Sequence, residues 1–105
     1  MARRHPDAEE NADYYEQLFL AVVNDDDARK MAVDITEDTA KDEGITATLA
    51  DLSAGKRYLR QCMLNMSFRE VSQSAKADLA ALWARGAVGA AKYRREQGGR
   101  GVRGR

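Results

Sequence analysis

Ser67-Phe68-Arg69-Glu70-Val71, continued by SQSAKADLAALWARG to Gly86, is the stretch that sets the fold class. Ser67 and Glu70 have the S-x-x-E spacing of a capping box, in which a hydroxyl and a carboxylate satisfy N–H groups left free at a helix start. Phe68, Val71, Ala75, Leu79, Leu82 and Gly86 then fall on one face, with Trp83 beside it. That period predicts an amphipathic helix over 67–86. The alanine-rich segment 87–97 continues it as a short further helix, with a bend expected at Gly86 and Gly89.

The same signals recur upstream. Ile45, Leu49, Leu52, Leu59, Met63 and Met66 keep a heptad-like register that is broken at Lys56, and they predict a helix over 46–64. Gly55 lies in its middle and costs about 1 kcal/mol relative to alanine. It marks either a kink or the close approach of another helix. Asp25-Asp26-Asp27 is an acidic first turn of the kind a helix dipole favours, and Gly44 is a good residue for the left-handed position after a helix. A helix over 25–43 follows, with a thin stripe of Ala28, Met31, Ala32, Ile35 and Thr39. Asp7 with Glu10 repeats the capping spacing after Pro6. Ala8, Ala12, Tyr15, Phe19 and Val22 give the first helix a stripe over 7–24. No strand alternation or hairpin dipeptide competes with these patterns.

The expected fold is therefore all-α: a small bundle of four or five helices with short antiparallel connections. The expected organisation is one domain over 1–97, including an N-terminal arm 1–6. The segment 98–105, GGRGVRGR, is too polar and glycine-rich to bury a core and reads as a flexible basic tail. A core this small makes a homo-oligomer, most simply a homodimer, the expected state.

Composition sets the function classes. The chain has 105 residues, 44 % hydrophobic and 32 % charged, with one cysteine and one histidine. No apolar run approaches the roughly 18 residues needed to span a bilayer. No secretory signal is expected at the N-terminus, and Cys62 alone suits a reducing, cytoplasmic setting. His5 leaves little for acid–base or metal chemistry. Di-iron, zinc-protease and P-loop spacings are absent. The expectation is a protein without enzymatic activity, metal or cofactor. Cys62, Met63 and Met66 read as core filling rather than a soft-metal site.

Three motif matches fail on context. Gly99–Gly104 spells G-x-G-x-x-G, but the chain has only one residue after it. Asn65-Met66-Ser67 spells a glycosylation sequon, but Ser67 is a cap. Ala40, Gly44 and Ile45 resemble a helix-turn-helix with Thr46–Ala54 as reader, yet the preceding helix is acidic and the reader holds Asp51 and no arginine.

Charge is the informative feature. Residues 1–51 carry 5 Lys/Arg against 14 Asp/Glu, a balance of −9, and residues 52–105 carry 12 against 3, a balance of +9. The halves complement each other within a subunit, across subunits or with a partner. Two function classes follow. The leading one is a binding or regulatory protein acting through protein–protein contacts, with Tyr14 as a candidate anchor because aromatic residues are enriched at interfaces; Trp83, expected in the core with Leu82 and Phe68, is the second candidate should it be exposed. The alternative is a nucleic-acid-binding regulator. Its candidate contacts, to phosphate or to an acidic partner, are Arg85, Lys92, Arg94, Arg95, Arg100, Arg103 and Arg105, with Tyr93 as a stacking surface.

Overall fold

The computed structural model describes residues 4–103, and their side chains as far as Gln97. Six helices follow in order: α1 (Pro6–Glu10), α2 (Ala12–Val23), α3 (Asp26–Asp42), α4 (Leu49–Leu64), α5 (Phe68–Gln73) and α6 (Lys76–Arg103). No strand occurs among the described residues. The fold is organised on α6, which packs mainly against α4 and α3. No helix is long and apolar enough to cross a membrane among the described residues.

The α4–α6 contact depends on two glycines. A Cβ on Gly55 would stand 2.5 Å from the Trp83 carbonyl oxygen and 2.9 Å from the Ala87 nitrogen. A Cβ on Gly86 would overlap the Tyr58 side chain. Each glycine thus seats the opposite helix at short range. Of the two roles expected for Gly55, close approach is the one found. Gly86 does not end the helix, and α6 continues unbroken through it and Gly89. At 28 residues it is about 42 Å long.

Trp83 fills the layer beside this crossing. It is 1 % exposed, and its indole N–H donates to the Leu52 carbonyl at 2.9 Å. Around it lie Leu59, Met63, Leu79 and Val71, with Tyr15, Val22 and Val23 from α2. The Tyr15 hydroxyl donates to the Met66 carbonyl at 2.8 Å, and burial pushes its pKa up. A second small cluster joins Ala40 and Ile45 to Val88 and Ala91.

Two expected helices are each divided. The pattern over 7–24 becomes α1 and α2, because Asn11 leaves helical geometry at φ −122°, ψ 39°. Its side-chain amide donates back to the Asp7 carbonyl at 3.0 Å, a local bond that competes with continuing the helix. The Asp7–Glu10 box is not formed. His5 is the N-cap, its Nδ1 accepting the Asp7 N–H, and its own N–H donates to the Leu64 carbonyl at 2.7 Å. Residues 5 and 6 therefore belong to the fold rather than to a free arm.

The pattern over 67–86 becomes α5 and α6. The Ser67–Glu70 capping box forms as expected. The run Ser72-Gln73-Ser74 then lets the chain turn, with Ser74 extended at ψ 133° and its hydroxyl donating to the Glu70 carbonyl. Asp78 accepts the Ala75 N–H at 3.3 Å and starts α6. Four or five expected helices thus become six. The backbone stays helical to Arg103, past the boundary expected at Gln97. The side chains of Arg100 and Arg103, and all of Arg105, lie outside the described residues.

Gly44 takes the role expected of it, at φ +69°. The Ile45 N–H reaches the Ala40 carbonyl at 2.9 Å and the Gly44 N–H the Lys41 carbonyl at 3.2 Å. This is a Schellman ending to α3, completed by the apolar contact of Ile45 with Ala40. The residues that resembled a helix-turn-helix are accounted for by it.

Candidate interaction surfaces

The charged halves meet inside the subunit. Arg60 pairs with Glu16 at 2.8 Å, Lys76 with Asp25 at 2.9 Å, and Lys92 with Glu43 at 2.8 Å. Arg94 pairs with Asp51. Among the described residues, every ion pair between different helices or their flanking caps joins an acid of 1–51 to a base of 52–105. Sequence position alone established the two balances, but only the packing of the helices brings the partners together, with α3 beside α6 for Lys76 and Lys92, α2 beside α4 for Arg60, and α4 beside α6 for Arg94.

Asp51 is the most specific of these groups. It is 4 % exposed and closes a capping box with Thr48 at the start of α4. Burial pushes its carboxyl up, but the Arg94 guanidinium and the Thr48 N–H and hydroxyl outweigh burial and hold it below the ordinary value. Arg94 also donates to the Thr46 carbonyl at 3.1 Å. At the other end of the α3–α6 contact, the Ala28 N–H and then Lys76 hold the Asp25 carboxyl low.

These pairs redistribute the residues singled out from sequence. Lys92 and Arg94 are engaged with the acidic half. Arg85 and Arg95 are exposed and form no ion pair among the described residues. Tyr93 is 65 % exposed and open to contact. Trp83 is core, so it cannot anchor a partner: its ring lies against Gly55 and its N–H is used. Cys62 is half-buried, and no group of His, Cys, Asp and Glu is placed to hold a metal among the described residues.

Tyr14 does reach the surface, with Tyr15 taking the core position beside it. Its ring packs on Phe68 with centroids 5.0 Å apart and planes at 49°. The two side chains are 38 % and 40 % exposed. Phe68 was expected on the core stripe, but the Ser74 turn rotates α5 away from the face of α6. Its placement is fixed instead by Asp7, whose carboxylate accepts the Phe68 N–H at 2.8 Å. Next to Tyr14, at the α1–α2 break, is an open hollow of about 410 Å³ lined by Glu9, Glu10, Asn11, Ala12, Asp13 and Tyr14. Tyr14 of this aromatic pair thus borders a hollow that three carboxylates also line.

A second concave surface lies between α3 and α6. It measures about 390 Å³, with Ile35 and Thr39 on one wall, Arg85 and Gly89 on the other, and Ala84 and Val88 beneath. The Lys92–Glu43 pair lies at one end. No residue pattern announced this groove, because it is made by two helices whose partnership the sequence does not state.

No protein-family model matches this chain, and neither a curated protein nor a solved structure shows significant similarity to it.

Proposed function

We propose that this chain is a non-enzymatic helical binding protein that acts through protein–protein contact and works as a homo-oligomer. The observation that carries the reading is the Tyr14–Phe68 pair, whose Tyr14 borders the acidic hollow. Rigid, partly exposed aromatic rings supply contact area at low entropic cost, and carboxylates beside them favour a basic partner. The partner chemistry that fits is a protein segment with Arg or Lys next to an apolar side chain. Arginine serves best, because it can stack on a ring while its fork meets a carboxylate.

The test is a selection from a random peptide library on the immobilised protein. Enrichment of basic–apolar sequences, bound at least about tenfold more weakly by Tyr14→Ala and Phe68→Ala, is expected. No enrichment, or binders indifferent to both substitutions, overturns the reading.

A second reading, nucleic-acid binding through the end of α6, is favoured by the exposure of Tyr93 beside Arg95. It is weakened by the engagement of Lys92 and Arg94 within the chain. Binding to mixed-sequence DNA and RNA at low and physiological salt separates the two. Salt-sensitive binding to these nucleic acids supports the second reading, and no binding at low salt overturns it.

A further inference from the structure

Three glycines lie inside the helices between residues 49 and 97. Two are accounted for by the α4–α6 crossing. The third, Gly89, is not: a Cβ there would meet nothing within 4 Å. It costs α6 about 1 kcal/mol of helix stability relative to alanine and answers to no neighbour in the chain. It lies in the wall of the α3–α6 groove, where Ile35 is an exposed aliphatic residue on the opposite side.

The groove has edges of opposite sign. Asp38 and Asp42 follow Ile35 at three and seven residues, which places them on the outer flank of the same helix face. Both are exposed and form no ion pair among the described residues. Arg85 is the unpaired cation on the α6 side. The helices run in the same direction, since Asp25 meets Lys76 at one end and Glu43 meets Lys92 at the other. Asp38 therefore stands within about a turn of the level of Arg85.

We infer that the α3–α6 groove is the self-association surface of this protein, occupied by the same groove of a second copy. A two-fold axis running along the groove lays α3 of each copy over α6 of the other. That operation keeps residues at their own level along the axis. It brings Asp38 of each copy within about a turn of Arg85 of its partner, twice by symmetry, and sets Thr39 opposite the notch at Gly89. A surface with an apolar middle, one acidic edge and one basic edge is complementary to itself under this axis, as an isologous interface must be. The inference rests on the homo-oligomer part of the function proposed above and adds where and how the copies meet.

The experiment is sedimentation equilibrium of the full chain and three variants over a concentration series to about 100 μM, a range that reads dissociation constants at the weak end of specific association. Arg85→Asp and Asp38→Arg each place like charges opposite one another and are expected to weaken the dimer at least about tenfold. An equimolar mixture of those two variants is expected to associate more tightly than either alone, because each supplies the charge the other lacks. Ile35→Arg, which sets a second cation at the level of the partner's Arg85, is expected to give a monomer. All three sites are exposed, and unchanged helical circular dichroism confirms that the variants fold. A wild-type dimer indifferent to all three substitutions overturns this surface and leaves homo-oligomerisation standing. A wild-type monomer throughout the series overturns both. Neither result bears on the Tyr14–Phe68 surface, which the peptide selection reads separately.

Discussion

Arg94, on α6, reaches both carboxylate oxygens of Asp51 at the start of α4 and holds the carbonyl of Thr46 with the same guanidinium. One side chain thereby ties the cap of α4, the loop before it and the last turns of α6 that touch the body. Arg94→Ala leaves a buried carboxylate without its cation. It is expected to lower unfolding free energy by about 1–3 kcal/mol, read by urea denaturation, because an unpaired buried charge costs more than the pair itself contributes. Arg94→Lys recovers only part of this, since a point charge cannot make the forked contact.

The same pair sets an acid limit on stability. Asp51 and Asp25 both have folded values below the ordinary 3.8. A carboxylate lowered on folding contributes stability that is fully present above its unfolded value and is lost as pH falls through the lower folded one. Thermal unfolding is therefore expected to be flat, for these groups, from neutral pH down to about 5 and to weaken below 4. Arg94→Ala should make that acid decline shallower, because Asp51 then has less to lose.

The glycines separate by sign. Gly55→Ala and Gly86→Ala each force backbone or a ring to move and are expected to cost about 1–3 kcal/mol or more. Gly89→Ala meets no obstacle and is expected to raise helix stability by up to about 1 kcal/mol. Differential scanning calorimetry of the three variants checks all of these directions. A stabilising Gly86→Ala would mean that α4 and α6 are further apart than described.

Asp7 reaches 61 residues along the chain to cap α5 at Phe68. Asp7→Ala is expected to cost about 1 kcal/mol, the usual size of a cap. It should also loosen the Tyr14–Phe68 pair, seen as faster amide exchange at Phe68 with little change in the α4–α6 core.

The all-helical class was legible because local rules and tertiary packing agree there. The Ser67–Glu70 box, the acidic opening of α3 and Gly44 after it each act within one helical turn. What was not legible turns on partners distant in sequence. Asp7 and Glu10 have the spacing of a box, but Asp7 is used by α5 and His5 takes its place. Phe68 and Leu79 share a period, yet the Ser74 turn sends them to different faces. The stripe separates Tyr14 from Tyr15, and Trp83, expected in the core beside it, lies at the centre of the core, whereas Phe68, expected there too, does not. Asp51 and Arg94 lie 43 residues apart with nothing local to connect them.

The pairing of one half of the chain with the other also bears on how the protein is made. The acidic α2 and α3 leave the ribosome before α6, which supplies Trp83, the seat for Gly55 and the cations for Asp25, Glu43 and Asp51. Until α6 has left the ribosome, α3 and α4 lack their main apolar partner, and Asp25, Glu43 and Asp51 lack their cations. Folding of these helices therefore waits on the emergence of α6. A nascent chain arrested before Trp83 should remain open to protease in every segment that α6 later covers.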